Sequence, residues 1–193
     1  GHPLRQPARK GLSEVAEPGS HRSSWRMPQP QGALLRLTNE FGQAAAQLHL
    51  LVDGLPEDLW ARRNDPNSWS VAECVAHLNL TSSAFLPVMR EAVEKAASLP
   101  TRPGAAYRRD FAGWVISALT GPLPRIVTRR IGRVPTAAAF VPAGALPRTR
   151  TMEEFDRLQA EQVALIGTCP GLPIDRVKIK SPFDRRLVYS LYS

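Results

Sequence analysis

Apolar residues recur at three- and four-residue steps in three separate segments of this chain, and this periodicity limits the fold more than any other feature. The segments span residues 32–54, 70–96 and 150–168. Such a step places the apolar side chains on one face of an α-helix. Helices that each have one apolar face bury those faces against one another. The periodicity therefore predicts an all-α helical bundle.

Residues that begin and end helices lie at the edges of these segments. Ser70 and Glu73 form the S-x-x-E pattern of a capping box, in which each side chain bonds the backbone N–H of the other residue. Thr151 and Glu154 form a second pair of this kind. Gly54 is placed to end the first helix. We therefore expect helices that begin just after Ser70 and Thr151, and a first helix that ends at Gly54.

The composition changes outside these helices. Residues 1–30 are rich in Pro, Gly, Ser and Arg, which predicts a disordered basic tail before a domain over residues 31–193. Met27 is the first methionine, and one hypothesis is that translation normally begins there. Residues 98–149 contain a short helical pattern at 107–119 and then repeated prolines, which predict an extended crossover.

Three shorter features complete the pattern along the chain. Trp60 lies in a polar connection, and we expect it to pack back on the bundle. Residues 174–183 alternate between polar and apolar side chains. Residues 184–193 have the apolar spacing of a further helix, which would stop at Ser193 after about three turns. We expect this helix to be incomplete.

The net charge of +8 lies mainly in residues 1–30 and 101–135. Basic surfaces can bind nucleic acid or anionic membranes. Here the arginines lie in a tail and a Pro/Gly-rich connection with few aromatic residues between them, so we expect neither partner. An accessory protein at nucleic acid or membrane stays a third hypothesis.

No signal-peptide pattern occurs, and Cys74 and Cys169 have no metal or redox spacing, so we expect reduced thiols in the cytoplasm.

His77 lies off the apolar stripe of the second helix. At the helical step it is about 120° from the middle of the stripe. Its near neighbours on the helical wheel are Ser70, Glu73, Thr81 and Ala84. This position suits either a side chain that faces solvent or one that lines a cleft. One histidine alone cannot hold a metal ion.

The stretch PNSWSVAECVAHLNLT resembles the DinB-like superfamily. The shared pattern is a tryptophan, a capping serine, a glutamate at the helix start and a histidine followed by leucine. The later segments EEFDRLQAEQ and VKIKSPF follow in the order of one branch, so the resemblance covers about 33–193. It implies an up-down four-helix bundle with a long Pro/Arg-rich crossover between helices two and three.

The resemblance also implies a metal site. In this family three side chains, usually histidines, bind a divalent metal such as zinc or nickel, and the first of them corresponds to His77. The other two form an H-x-x-x-H pair on the last helix, which this sequence lacks, and His2, His21 and His49 do not lie at matching places. Either the sequence is cut short within helix four or this member has lost the site, and we expect the former. Metal binding is then expected to be weak or absent in this chain.

Two functions from different classes follow. The first is a divalent-metal-dependent hydrolase or thiol transferase that acts on a small molecule, with a metal-bound water or thiol as the nucleophile. Glu73 would then either orient His77 or only cap the helix. The second is a non-catalytic helical-bundle binding or stress-response protein without metal.

No phosphate-binding loop, dinucleotide fingerprint or nucleophile elbow occurs. We expect a homodimer, formed through helix four or through the exposed apolar stripes.

Overall fold

A computed structural model describes residues 30–104, 106–114 and 136–193. The expectations for the basic tail and for a translation start at Met27 lie outside the described residues. The same is true of residues 115–135, which hold most of the basic crossover and part of the short helix expected at 107–119. Of that helix, residues 111–114 are helical in the structure.

The described chain is mostly helical, which confirms the all-α fold class. Its helices are α1 (Pro30–Asp53), α2 (Glu57–Trp60), α3 (Val71–Ala97) and α4 (Arg148–Gly167), with a single 3₁₀ turn at Ala138–Phe140. Two short strands follow, β1 (Lys178–Lys180) and β2 (Val188–Ser190). The three long helices coincide with the three periodic segments of the sequence. In the described residues no helix is both long enough and apolar enough to cross a membrane.

The core has two clusters, one at each end of the bundle. The first joins the start of α1 to the ends of α3 and α4 and to β1, through Leu34, Ala92, Ala96, Ile166 and Ile179. The second joins the end of α1 to α2 and to the starts of α3 and α4, through Val52, Trp60, Val75, Met152 and Phe155. α1 and α3 therefore run antiparallel, and α4 runs parallel to α3. The long connection between α3 and α4 makes this order possible, because it returns the chain to the end at which α3 begins.

Trp60 packs into the second cluster, as the sequence predicts. Its side chain is 3% exposed. Its indole N–H donates a hydrogen bond to the carbonyl oxygen of Leu146 at 2.7 Å. The guanidinium of Arg148 lies 5.5 Å from the centre of the ring. Trp60 therefore fastens the segment that precedes α4 to the body of the bundle.

One capping box is confirmed and the other is wrong. Ser70 caps α3, and its side chain and that of Glu73 each bond the backbone N–H of the other residue. α4 begins at Arg148, four residues before the expected position, and no side chain caps it. The hydroxyl of Thr151 instead donates to the carbonyl oxygen of Pro147 at 2.8 Å. Pro147 therefore takes the N-cap position, and Thr151 lies inside the helix.

The expectation of a helix at residues 184–193 is also wrong. β2 pairs antiparallel with β1, with Ile179 opposite Tyr189. Asp184 accepts a hydrogen bond from the backbone N–H of Arg186 at 2.9 Å, which is a turn that competes with a helix. The carboxylate of Asp110 accepts the backbone N–H of Ser190 at 2.8 Å. The contact with Asp110 therefore helps to hold Val188–Ser190 in an extended conformation, although their apolar spacing predicted a helix.

Candidate functional site at His77

His77 lies two turns after the start of α3, with its side chain half buried. Its Nδ1 atom is 2.8 Å from the carbonyl oxygen of Phe140. A carbonyl oxygen only accepts hydrogen bonds, so Nδ1 must carry the proton. In the neutral ring Nε2 then keeps its lone pair. This arrangement, in which a backbone carbonyl fixes one ring nitrogen, is typical of histidines that bind metal through the other nitrogen.

Aromatic side chains lie near the His77 ring and along the following turns of α3. The ring of Trp69 lies 5.0 Å from the His77 ring. The ring of Phe183 lies 4.3 Å from Phe140 and 5.4 Å from Phe85. The helical wheel left open whether His77 faces solvent or a cleft. In the structure its side chain is half buried, against Trp69 and the segment that carries Phe140.

Thr81 lies one turn after His77, on the same face of α3. Its hydroxyl oxygen is buried, and within the described residues it has no hydrogen-bond partner. Buried polar atoms in native proteins nearly always have a partner, which can be a water molecule or a ligand. Because the oxygen is buried, its missing partner would have to lie inside the packed face of α3, and the hydroxyl is not exposed to a ligand.

Glu73 does not orient His77. Its carboxylate accepts bonds from the backbone N–H of Ser70 at 2.8 Å and from Nε of Arg63 at 2.9 Å. A second guanidinium nitrogen of Arg63 binds the other carboxylate oxygen. The hydrogen bonds from Arg63 first, and then that from Ser70, lower the pKa of Glu73 from 4.5 to about 2. Its role is to cap α3 and to hold the preceding loop.

We expect the Glu73→Gln variant to lose about 1 kcal/mol of unfolding free energy at pH 7, because the ionised group strengthens the cap and the pair with Arg63. A carboxyl whose pKa is lowered by folding stabilises the fold above its unfolded pKa. The difference between wild type and variant should therefore be complete above pH 4.5 and shrink as the pH falls towards 2. Urea unfolding at several pH values measures this difference. A difference that stays constant down to pH 2.5 contradicts the assignment. Glu153→Gln, at an exposed position of α4, is the control and should change stability by less than about 0.5 kcal/mol.

The structure places His77 away from the other described histidine. Nε2 of His49 is 2.7 Å from the carboxylate of Asp156, in an exposed pair that joins α1 to α4. His2 and His21 lie outside the described residues. Over the described ranges, no three His, Cys, Asp or Glu side chains are grouped so that they could hold a metal ion. The described part of the chain therefore does not complete a three-ligand site around His77.

The two cysteines are free thiols, exposed at Cys74 and buried at Cys169. Burial raises the pKa of both thiols, and the charge of Glu73 raises that of Cys74 further. A raised pKa keeps a thiol protonated near neutral pH, and the protonated form is a poor nucleophile and a poor metal ligand. Neither cysteine therefore supplies a reactive group beside His77.

Sequence reasoning found Thr81 as a neighbour of His77, because it lies four residues later on a predicted helix. It missed Phe140 and Phe183. Phe140 stands in a proline-rich segment without periodicity, and Phe183 follows β1, so no local pattern marks either of them. Only the folding of distant segments onto α3 brings them to the histidine.

Comparison with known proteins adds the family to this geometry. The family model described as the DinB superfamily matches residues 40–168. That range includes α3 with His77, the connection that carries Phe140, and all of α4. Comparisons with curated proteins and with solved structures give no match. Because the family match covers more than half of the sequence, this chain belongs to the DinB superfamily.

Proposed function

We propose that this DinB-superfamily protein is a divalent-metal-dependent hydrolase or thiol transferase, in which Nε2 of His77 is one of the metal ligands. The observation that carries the proposal is the 2.8 Å bond between Nδ1 of His77 and the carbonyl oxygen of Phe140. It fixes the tautomer that leaves Nε2 free to bind. The resemblance around His77 suggests zinc or nickel as the metal.

The bound metal would lower the pKa of a water molecule or thiol and so supply a nucleophile near neutral pH. The neighbouring residues of this chain would position the His77 ring. The carbonyl group of Phe140 orients the imidazole ring, and Trp69 limits its rotation from the other side.

The proposal needs ligands that the described residues do not place beside His77. A second copy of the chain would supply them, which agrees with the homodimer that we propose. The substrate would be a small electrophile. Cytoplasmic location is supported by the two free cysteines, because a reducing compartment keeps thiols in this state.

Titration with Ni²⁺, followed by NMR of the histidine rings, tests the role of His77. A bound paramagnetic ion broadens the signals of the ring that binds it. We expect the His77 signals to broaden at a lower Ni²⁺ concentration than those of His49, because Asp156 occupies Nε2 of His49. His49 is an internal control, and its side chain is 39% exposed. Broadening of His49 first, or of both rings together, contradicts the proposal. In the His77→Ala variant the early response should disappear.

The second candidate function is a helical-bundle binding or stress-response protein without metal. The packing of Trp69 and Phe140 against His77 favours it, because these contacts give the histidine a structural role. On this account His77→Ala lowers the melting temperature and leaves the metal content of the purified protein unchanged. Stoichiometric metal that disappears in His77→Ala excludes this candidate.

A further inference from the structure

A groove of 530 Å³ lies between the last turns of α3 and the hairpin formed by β1 and β2. Its volume falls within the range of small-molecule sites, which is about 300–1,000 Å³. Val88, at its near end, is eleven residues after His77, or about 16 Å along the helix axis. The groove is therefore separate from the His77 site and does not depend on the function proposed for it.

The floor of the groove is apolar and its rim is cationic. Ala92 and Ile179 form part of the floor and belong to the first core cluster. Lys95, Lys180 and Arg185 line the groove with exposed side chains. Within the described residues no carboxylate forms an ion pair with any of these three cations.

The backbone explains why the positive charges gather here. β1 alternates exposed, buried and exposed, so that Lys178 and Lys180 lie on one face and Ile179 points into the core. The ammonium group of Lys178 binds the carboxylate of Asp110, so part of the positive charge is already paired. Lys95 lies in the last turn of α3, where a cation suits the helix dipole. Glu91 is the carboxylate among the residues that line the groove.

These features point to one class of ligand. Unpaired cations that face one concave surface repel each other, and a bound anion relieves that repulsion. The apolar floor adds favourable contact for an apolar body, since it removes that body from water. The α3 part of the groove, from Val88 to Lys95, is about 10 Å long, which is two turns of helix and short for a docked peptide helix. We infer that the groove binds a small organic anion with an apolar body.

Calorimetric titration with naphthalene-2-sulfonate tests this inference. The protein should bind it more tightly than inorganic phosphate, which lacks an apolar body, and more tightly than naphthalene-2-methanol, which lacks a charge. The Lys180→Gln/Arg185→Gln double variant should bind about tenfold more weakly, because it removes two exposed cations that attract the anion. Glu91→Gln should bind about twofold more tightly, because it removes the carboxylate of the groove.

Arg62→Gln is the matched control. Arg62 is an exposed arginine that pairs with Asp58 at α2, at the other end of the bundle, and its removal should leave the affinity unchanged. Equal binding of the sulfonate and the uncharged alcohol would overturn the inference, as would equal affinities of wild type and the double variant. Tighter binding of phosphate than of the sulfonate, or no binding of the sulfonate, would also overturn it.

Discussion

Replacing Trp60 with alanine is expected to lower the free energy of unfolding by about 3–5 kcal/mol. The side chain is 3% exposed and packs against Val52, Val75 and Phe155 in the second core cluster. Alanine would leave a cavity there and would leave the carbonyl oxygen of Leu146 without its indole donor. A domain of this size has a total stability of about 5–15 kcal/mol, so the loss is a large part of it. Urea unfolding followed by circular dichroism measures it.

Two further tryptophan variants separate the contributions of the ring and the N–H group. Trp60→Phe keeps most of the packing and loses the bond to Leu146, so we expect a loss of about 1–3 kcal/mol. Trp114 is 60% exposed, and Trp114→Ala should change stability by less than about 0.5 kcal/mol. If Trp60→Ala costs no more than Trp114→Ala, Trp60 does not anchor the second cluster.

Replacing Leu158 with alanine is expected to cost about 2–5 kcal/mol. Leu158 is 2% exposed and is one of the largest fully buried side chains among the described residues. It lies in the middle of α4, the helix that packs against both α3 and α1. Alanine would leave a cavity at this buried position. Thermal and urea unfolding of the variant measure the loss.

Leu50→Ala is the matched control for Leu158→Ala. Leu50 is the same residue type in a long helix, α1, but its side chain is 75% exposed. Its replacement should change stability by less than about 0.5 kcal/mol. Similar losses for the two variants would mean that Leu50 is covered in solution, for example by a second copy of the chain, and a concentration-dependent melting temperature would identify this case.

The long helices were predictable from the sequence because their causes are local. An apolar stripe at helical spacing, or a serine three residues before a glutamate, acts within a few turns of the chain. The second capping box failed for an equally local reason, since Pro147 begins α4 before Thr151 can cap it. Pro147 and Thr151 are both possible N-cap residues of α4 and lie four residues apart. The sequence pattern alone does not show which of them begins the helix.

The C-terminal hairpin was not predictable in this way. Its strands are three residues long, and their pairing is held by Asp110, which is about 80 residues away from Ser190 in sequence. For the same reason the site was predicted only in part. Helical spacing placed His77 on a flank and left open whether it faced solvent or a cleft, whereas the carbonyl group of Phe140 reaches it from 63 residues away. Contacts of that range depend on the finished fold.

The second core cluster links stability to the candidate site. Trp60 binds Leu146, and Arg148 donates to the carbonyl oxygens of Val52 and Pro56 at 3.3 and 3.1 Å. These bonds fix one end of the segment that carries Phe140. The orientation of the His77 ring therefore depends on contacts that lie well outside the site itself.

The central claim is that His77 is held in the tautomer with the proton on Nδ1 and a free lone pair on Nε2. Long-range ¹H–¹⁵N correlation spectra of the imidazole rings, recorded above pH 7.5, measure this directly. We predict that Nδ1 of His77 has the chemical shift of a protonated nitrogen and Nε2 that of an unprotonated one. A proton on Nε2, or the averaged shifts of a ring that exchanges between tautomers, would contradict the claim and remove the main support for His77 as a metal ligand.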